Sequence, residues 1–594
     1  MGEAPGQAAS PMASRPPAAA VSSPPAFPGA EGFGASATGG RGGQVIYVTT
    51  LDPDPNGELP GSLNWALRQP GPRYILFKVS GVISAAANIV HGDVTIAGQT
   101  SPGGIVVRGL ICDGHYERNH CDNVIVRHLR SRPARHMDGS EMALDDALRL
   151  DGIRNFIIDH SSFAHAVDEV AQVSWASRGT IQNSIFAETV GDHWEYGGML
   201  MNYSTPHHPQ DFLSIHHNLW YRLGGRLPEI TCEASAYPDE PASATDCAAH
   251  PLRLELSNNL LWDPGINIWY GLHVDGNPDL GNYVLHLNWV NNYMAANPAT
   301  YTYGMILHDV LQAPANQLYF SGNRMNLYPA YADYDLAYCC NDFTAPGANP
   351  NTDLGVAVRL TTRHDFPPIT YTPTDQLVAY AVGSVGAFPR DPMDRRIIAS
   401  LLAGQLDFGL PYSQPVASDA FELDFDPNNP PAPPLDTDED GMPDAWELQH
   451  GLNPTVPDHN DTQLSVPLTG VPGYTNLECY LNWLSDRLTA GAVSSIIYLP
   501  LISAAGAELR WTTDPANCCY TVHRAATPGL VPSVTTAVSA KLPAAIGAYT
   551  DPAAHIGDPA VEDFYLVASC GCDGFTTAES QRVGYMDFAL RRGE

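Results

Sequence analysis

Short apolar runs separated by polar turns fill the chain from Ala26 to about residue 412. Runs such as 45–49, 74–79 and 156–159 have the length of strands and are rich in Val, Ile and aromatic residues. Strand-length runs bounded by turn residues, without a convincing helical period, are typical of β-structure. This pattern predicts an all-β domain over residues 26–412.

A small signature returns within these runs: alternating apolar residues, then His or Asn, then an apolar residue. It surrounds His128, Asn183, Asn218, Asn259 and Asn323, with 35 residues from Asn183 to Asn218 and 41 from Asn218 to Asn259. A strand repeat of this length predicts a β-solenoid whose asparagines stack as a ladder at one corner. A β-sandwich is the rival fold, but it does not explain asparagines that return at the same turn.

Segments of different composition flank this domain. Residues 1–25 are rich in Ala, Pro and Ser and predict a disordered linker without the basic and apolar regions of a signal peptide. Residues 413–434 are Pro-rich and predict a stiff linker, and the acidic residues 435–490 predict a small calcium-binding loop-helix module. Residues 491–594 carry strand runs with Gly and Pro turns, which predict a C-terminal, fibronectin-III-like β-sandwich with an accessory role.

Composition narrows the possible partners. The chain has 64 Asp+Glu against 30 Lys+Arg, a formal net charge of -34, which argues against nucleic acid because phosphate would be repelled. An apolar run of about 18 residues is not found, so we expect no membrane span. Lysine occurs only at Lys78 and Lys541, so a cation that meets an anionic substrate must be an arginine or a metal ion.

The cysteines bear on the cellular compartment. There are 11 of them, in local groups such as Cys112 with Cys121 and Cys232 with Cys247. This grouping favours disulfides that close short loops in an oxidising compartment, with one thiol left over. We therefore expect a secreted protein, and we expect it to be a monomer.

The sharpest local motif is the acidic loop DTDEDGMPDAWE at residues 436–447. Oxygen ligands fall at loop positions 1, 3, 5, 7, 9 and 12 and glycine at position 6, the spacing of an EF-hand-type calcium loop. The predicted ligands are the side chains of Asp436, Asp438, Asp440, Asp444 and Glu447 and the backbone carbonyl of Met442. Such a loop predicts a calcium-stabilised extracellular module and by itself indicates no enzyme.

Several longer motifs share one resemblance. They are AFPGAEGFG at 26–34, GGRGG at 39–43, TIAGQTSPGG at 95–104, DDALRL at 145–150, NFIIDHSSF at 155–163, VDE at 167–169, HHNL at 216–219 and RLP at 226–228. Together they resemble polysaccharide lyase family 1, the pectate lyase and pectate trisaccharide-lyase type, over roughly residues 26–400. The acidic loop also resembles a module often attached to these lyases. The resemblance implies a right-handed parallel β-helix and calcium-dependent β-elimination of de-esterified α-1,4-galacturonan (pectate), giving 4,5-unsaturated products.

The resemblance gives Arg226 the catalytic role, because Arg226 matches the arginine of the family's Arg-x-Pro motif. In the family this arginine takes the C5 proton while calcium bridges carboxylates of the enzyme and the substrate. A guanidinium normally keeps its proton. A second interpretation therefore has Arg226 polarise the substrate's carboxylate and stabilise the enediolate charge.

For a calcium ion in the cleft, the resemblance implies Asp146 and Asp168 as ligands. The family's carboxylate two residues before Asp146 is replaced by leucine, with Asp145 as a possible substitute. The ligand four residues after Asp168 is Gln172, an oxygen donor without charge. Asp168 and Glu169 are adjacent and on a strand would point to opposite faces, so we expect only one of them to bind.

The substrate contacts are less defined. The lysine with which many members of the family hold a substrate carboxylate has no counterpart, and His193 stands in that region. Arg222 and His217 are further substrate-binding candidates. Asp159 beside His160 invites comparison with a hydrolase triad, but within the resemblance we expect the pair to support a turn of the coil.

Three other functions stay open. A pectin lyase would act on methylated substrate without calcium, which the carboxylates Asp145, Asp146 and Asp168 argue against. An inverting polygalacturonase needs paired carboxylates, and the Arg-x-Pro motif at Arg226 makes it less favoured. A non-catalytic carbohydrate-binding protein would show no turnover for an Arg226→Ala variant to lose.

Overall fold

The computed structural model describes residues 23–585 except for residues 116, 135–145, 191–196, 232–236, 239, 242–246, 248–249, 266–272, 275–283, 306–314, 339–344, 349–353, 490–497, 504–505, 512–516, 527–535, 544–545, 555–562, 572–575 and 580–582. Two predicted site residues, Asp145 and His193, and most of the predicted N-terminal linker therefore lie outside the described residues.

The predicted right-handed parallel β-helix is confirmed. A complete coil of the chain adds one strand to each of three parallel sheets, here called A, B and C, and visits them in that order. Sheet A consists of β1 (Gln44–Val48), β2 (Arg73–Phe77), β5 (Val94–Ala97), β8 (Val124–Arg127), β11 (Arg154–Asp159), β14 (Ser177–Gln182), β17 (Asp211–His216), β20 (Leu252–Ser257), β23 (Leu285–Val290), β25 (Gln317–Ser321) and β27 (Val358–Arg359).

The other two sheets are shorter. Sheet B consists of β3 (Gly81–Val82), β6 (Ile105–Val107), β9 (Arg130–Ser131), β12 (Ser162–Ala166), β15 (Ile185–Thr189), β18 (Leu219–Tyr221), β21 (Leu260–Trp262), β24 (Tyr293–Ala295) and β26 (Arg324–Met325). Sheet C consists of β4 (Ala87–Asn88), β7 (Leu110–Asp113), β10 (Leu148–Asp151), β13 (Ala171–Ser174), β16 (Met199–Asn202), β19 (Glu229–Ile230) and β22 (His273–Val274).

The core lies inside the coil. Alternate residues of each strand point inward, and those of successive coils stack into one cluster, with Phe163, Phe186 and Trp220 as its aromatic column. The rings of Phe163 and Phe186 are stacked with centroids 5.5 Å apart. A single interior shared by all coils explains why the strands can be so short, because each coil buries its apolar face against its neighbours.

The corner between sheets A and B carries the predicted asparagine ladder. Side-chain amides pass hydrogen bonds from Asn218 to Asn259 at 3.2 Å, from Asn259 to Asn292 at 3.2 Å and from Asn292 to Asn323 at 2.9 Å. The prediction for Asn218, Asn259 and Asn323 is confirmed, and Asn292 completes the ladder. Asn183 lies one position earlier in its coil and donates to Asp159 at 3.0 Å instead.

Helices surround the β-helix. They are α1 (Leu63–Leu67), α2 (Leu377–Ser384), α3 (Pro392–Leu402), α4 (Asp444–His450), α5 (Ser465–Thr469) and α6 (Asn476–Thr489), with 3-10 turns at Gly98–Thr100, Asp333–Leu336 and Thr374–Gln376. Helices α2 and α3 pack on the outer face of sheet B. Part of the predicted 413–434 linker also lies on this face, since Arg396 pairs with Asp419 at 2.6 Å and Arg132 donates to the Ala420 carbonyl at 3.0 Å. Among the described residues, none of the helices is long and apolar enough to cross a membrane.

The described strands after residue 497 form antiparallel sheets. One contains β28 (Tyr498–Ser503), β29 (Gly506–Arg510) and β32 (Ala548–Asp551). The other contains β30 (Asn517–Ala525), β31 (Leu542–Pro543), β33 (Asp563–Gly571), β34 (Thr576–Glu579) and β35 (Val583–Tyr585). Residues of both sheets, such as Leu509 and Tyr565, share one buried cluster. The fibronectin-III-like type of this unit stays a prediction.

The disulfide prediction is confirmed for one loop, because Cys112 and Cys121 are bonded. Cys479, on α6, is a buried free thiol.

Candidate active site

Three carboxylates meet at the corner where the chain passes from sheet B to sheet C. Asp146 precedes β10, and Asp168 and Glu169 precede β13 in the next coil; one oxygen of each lies within 4.8 Å of the others. The side chains of Asp146 and Glu169 are buried. Stacked coils bring together residues that are more than 20 positions apart in the sequence, so the cluster is a product of the solenoid.

Glu169 corrects an expectation drawn from the sequence. Residues 167–170 form a bend between β12 and β13, so the side-chain alternation of a strand does not apply to them. Asp168 and Glu169 therefore both contribute to the cluster, although they are adjacent.

The electrostatics of the cluster favour a cation. Burial, with the charge of Asp168 added to it, raises the pKa of Asp146 to about 7. Burial together with the charges of Asp146 and Asp168 raises the pKa of Glu169 well above its ordinary value. Carboxylates crowded in a low-dielectric corner repel one another, and a hard divalent ion with oxygen ligands relieves this repulsion. The donor set therefore fits calcium.

Arg226 lies next to the three carboxylates. Its guanidinium forms ion pairs with Glu169 and with Glu229. The sheet register explains the contact: Leu148 pairs with Ala171, Ala171 with Met199, and Leu200 with Glu229. When this register is continued toward the corner, Asp146, Glu169, Gly197 and Arg226 form one row across the coils.

The backbone under Arg226 is tightly packed. The amide of Met199 donates to the Arg226 carbonyl at 2.7 Å. A Cβ atom on Gly198 would lie 1.9 Å from the same carbonyl oxygen. The coil before Arg226 can approach this closely only because residue 198 is glycine.

Gln172 and Arg149 face outward beside this row. The two residues are register partners on β13 and β10. The Gln172 amide nitrogen lies 3.2 Å from Asp151 and 3.3 Å from the Ser174 hydroxyl. Arg149 pairs with Asp151 at 2.9 Å and lies 3.7 Å from Asp146, so it places a second positive charge beside the cluster.

Two predicted substrate residues lie elsewhere. Arg222 is 2% exposed beneath the rings of Phe408 and Tyr412, and it donates to the Leu410 carbonyl at 3.1 Å. His217 is buried at the corner of sheets A and B, with its Nε2 atom 3.1 Å from the Thr372 hydroxyl. Both side chains hold the C-terminal part of the lyase-like domain against the β-helix.

Asp159 also lies at the corner of sheets A and B. Its carboxylate pairs with Arg127 at 2.9 Å and with His160 at 2.8 Å. Despite its burial, the neighbouring His160 and Arg127 hold the pKa of Asp159 well below its ordinary value. The structure therefore supports the interpretation that Asp159 and His160 support a turn.

Sequence reasoning assigned no role to Arg149 and Glu229. Arg149 stands three residues after Asp146, and Glu229 stands three residues after Arg226. A solenoid strand that lines a cleft alternates core residues with cleft residues. A charged residue within an otherwise apolar strand is therefore a signal that could have identified Arg149 and Glu229 as cleft residues.

The acidic loop of the C-terminal module gathers a second carboxylate cluster. Oxygens of Asp436, Asp438 and Asp440 lie within 4.8 Å of one another, and so do those of Asp440, Glu447 and Asp458. Asp444 instead accepts hydrogen bonds from the amide and the hydroxyl of Thr437, both at 2.7 Å. Asp458, from the following loop, is a candidate ligand that the 12-residue motif does not contain.

Comparison with known proteins finds relatives by sequence. No protein-family model matches the chain. A protein of Aspergillus flavus named "Probable pectate lyase C" is 29% identical over 467 residues, 77% of this chain and 94% of that protein. The protein of the same name from Aspergillus terreus is 29% identical over 465 residues, again 77% and 94% of the two chains.

Among solved structures, the cedar pollen allergen jun a 1 is 15% identical with a TM-score of 0.38, covering 60% of this chain and 92% of that one. The fold itself is defined above by the three sheets. The relatives confirm the predicted resemblance to pectate lyases. The chain is a homologue of these proteins, and the class of enzyme that this homology indicates is a polysaccharide lyase.

Proposed function

We propose that this protein is a secreted pectate lyase that cleaves de-esterified α-1,4-galacturonan by calcium-dependent β-elimination. The observation that carries the proposal is the row formed by Asp146, Glu169 and Arg226, with Asp168 beside it, at one corner of the β-helix. Homology to the fungal proteins named pectate lyase supports the substrate class. The disulfide between Cys112 and Cys121 supports an oxidising compartment.

Asp146, Asp168 and Glu169 would hold the ion. A calcium ion held there would supply Lewis-acid chemistry to a uronate carboxylate of the substrate. Asp145 and Gln172 stay candidate ligands from the sequence. The side-chain amide of Gln172 donates to Asp151 and orients that carboxylate.

Arg226 supplies the positive charge for the reaction. In β-elimination the C5 proton passes to a base and its bonding electrons form the double bond between C4 and C5. The glycosidic oxygen leaves C4 with the electrons of the C4–O bond and takes a proton from water. The negative charge that develops on the C6 carboxylate is stabilised by a fixed cation in a partly desolvated cleft. The two carboxylates around Arg226 hold its guanidinium in one orientation, which supports a role in charge stabilisation.

Arg149 fits a supporting role in binding. A polyanionic chain approaching a carboxylate-rich cleft needs cations, and a planar guanidinium can hold a uronate carboxylate with two hydrogen bonds. The Arg149 side chain is 23% exposed. It therefore supplements Arg226 in a cleft for which the sequence offers no lysine.

The alternatives fit this corner less well. A pectin lyase has no use for three clustered carboxylates, two of them buried, that favour a cation. An inverting polygalacturonase needs two carboxyl groups about 6.5–9.5 Å apart to admit a water molecule. Here the clustered oxygens lie within 4.8 Å of one another.

The test incubates polygalacturonate with the protein, with calcium or with chelator, and records ultraviolet absorbance and reducing ends together. We expect calcium-dependent absorbance from the 4,5-unsaturated product. Arg226→Ala should lower the rate by at least about 100-fold, the cost typical of removing one charge-stabilising group. Arg226→Lys should recover part of the lost rate. Arg68→Ala, an exposed arginine on α1's C-terminal side, is the matched control.

Two outcomes would contradict the proposal. Reducing ends without absorbance would indicate a hydrolase. Equal rates for Arg226→Ala and the wild-type protein would remove Arg226 from the reaction.

A further inference from the structure

The module of residues 435–489 lies directly on the first coils of the β-helix. Its buried side chains, among them Met442, Trp446 and Leu477, form one cluster with Tyr74 and Leu76 of β2. Residues 75 and 77 of the same strand point into the coil interior, so β2 is covered on both faces. The module therefore shields the outer face of β2 in sheet A from solvent.

Polar contacts reinforce this surface. Arg41 pairs with Glu478 of α6 at 2.8 Å, and the Tyr74 hydroxyl lies 3.2 Å from that of Thr475. Arg127 donates to the Ser485 hydroxyl at 2.7 Å. These contacts are side chain to side chain, so their geometry depends on where α6 is held.

The acidic loop itself forms part of the contact. The Tyr47 hydroxyl of β1 donates to the carboxylate of Asp436. Gly441 has φ +101°, and a Cβ atom there would lie 2.9 Å from both Leu76 and Leu477. The loop is thus packed between the β-helix and α6, and its conformation bears on both.

Several carboxylate oxygens of this loop have no hydrogen-bond partner among the described residues. Glu447 is 0% exposed, and neither of its carboxylate oxygens has a hydrogen-bond partner among the described residues. Both carboxylate oxygens of Asp438 and the Oδ1 atom of Asp436 likewise have no hydrogen-bond partner among the described residues. Buried charged acceptors without donors are costly unless an ion binds them. This is an observation separate from the clustering, and it indicates a cation in the loop.

A second loop contributes to the same cluster. A carboxylate oxygen of Asp458 lies within 4.8 Å of oxygens of Asp440 and Glu447. The backbone amide of Asp458 donates to the Asp440 carboxylate at 2.9 Å. The neighbouring His459 and Asn460 contact the Gly43 carbonyl at the start of β1, at 3.2 and 3.0 Å. An ion shared by the two loops would therefore fix both segments that contact the edge of sheet A.

We propose that one calcium ion, held by Asp436, Asp438, Asp440, Glu447 and Asp458, fixes the module onto the outer face of β1 and β2 and so stabilises the first coils of the β-helix. The backbone carbonyl of Met442 completes the loop ligands as in other loops of this spacing, while Asp444 closes the loop through Thr437. The site is distinct from the cleft and serves docking rather than catalysis.

The experiment is hydrogen–deuterium exchange of the full-length protein with calcium and with chelator. Calcium should slow exchange in residues 436–488 and also in β1 and β2. Glu447→Gln and Asp458→Asn should each abolish the slowing at both places while keeping any slowing near residues 146–174. Asp461→Asn, an exposed aspartate of the same loop, is the matched control and should behave as the wild-type protein.

A second readout uses terbium in place of calcium, with excitation of tryptophan. Trp446 is buried next to Glu447, so bound terbium should luminesce, and Asp458→Asn should weaken its affinity at least 10-fold. Asp146→Asn should leave this signal unchanged. If calcium slows exchange only in the module and not in β1 and β2, the docking role is overturned. If the module exchanges equally fast with calcium and with chelator, the calcium site itself is overturned.

Discussion

Arg226 shows how single residues build the candidate active site. Two carboxylates, Glu169 and Glu229, hold its guanidinium. Gly198 lets the preceding coil approach the Arg226 backbone. The position of the cation therefore depends on residues that take no part in the proposed chemistry.

At this scale, Gly198→Ala is expected to disturb both stability and turnover. The new Cβ would lie 1.9 Å from the Arg226 carbonyl oxygen and 2.3 Å from that of Gly225, which are backbone atoms that cannot rotate away. We expect a loss of about 1–3 kcal/mol in unfolding free energy and a rate lowered by about 100-fold if Arg226 moves by 1 Å. Thermal unfolding and the absorbance assay measure the two effects.

Gly383→Ala in α2 is the matched control, because nothing lies within 4 Å of its Cβ position. Alanine in a helix should stabilise by about 0.5–1 kcal/mol relative to glycine. An unchanged melting temperature and rate for Gly198→Ala would contradict the argument.

At the scale of the elements, the corner of sheets A and B repeats two kinds of residue. The first position is left-handed, with φ between 47° and 56°, and its occupants are His128, His160, Asn183, His217, Asn258 and Asn291. From Asn218 onward, the next position is occupied by the asparagines of the ladder. Asn and His tolerate left-handed backbone better than most residues do, so the sequence signature records the corner geometry.

His217 makes this corner sensitive to acid. Burial lowers its pKa to about 4 from the ordinary value of 6.5. The unfolded state therefore binds more protons than the folded state between about pH 6.5 and pH 4. Across this window the unfolding free energy falls as the pH is lowered, by about 3 kcal/mol for this group. Below about pH 4 the loss is complete.

His217→Asn should flatten that dependence, because asparagine suits the left-handed backbone and does not titrate. Denaturant unfolding at several pH values between about 7 and 4 measures the slope. His207→Asn is the control, since the His207 side chain is 72% exposed. Equal slopes for His217→Asn and the wild-type protein would contradict the assignment.

At the scale of the whole molecule, the charge opposes the proposed substrate. A net charge of -34 repels a polyanionic chain, while Arg226 and Arg149 attract it only at short range. Salt screens exposed charges beyond about 8–10 Å more than it screens partly buried pairs. Added sodium chloride should therefore lower KM for polygalacturonate at fixed free calcium, with kcat nearly unchanged.

Initial rates at ionic strengths from about 0.02 to 0.3 M test this expectation. A neutral osmolyte at matched osmolality is the control for effects other than screening. A KM that rises steadily with salt would mean that local cation contacts outweigh the repulsion of the whole surface.

Much of this protein could be read from local sequence. Strand-length runs and returning asparagines gave the solenoid, because each coil must place an equivalent residue at an equivalent corner. The RLP motif at 226–228 and the acidic loop at 436–447 pointed to Arg226 and to a calcium loop, since each motif lies within one short segment. A local motif can be recognised in the sequence because its residues lie only a few positions apart along the chain.

The tertiary structure alone decided which residues from different coils meet. Glu169 joins Asp146 because residues 167–170 bend, and Arg226 meets Glu169 because successive coils stack. Asp458 reaches the acidic loop from another segment. Arg222 and His217 look like cleft residues in sequence, yet they are buried under the C-terminal segment. Coil stacking and the packing of the C-terminal helices set these contacts, and neither is encoded in the spacing of a single motif.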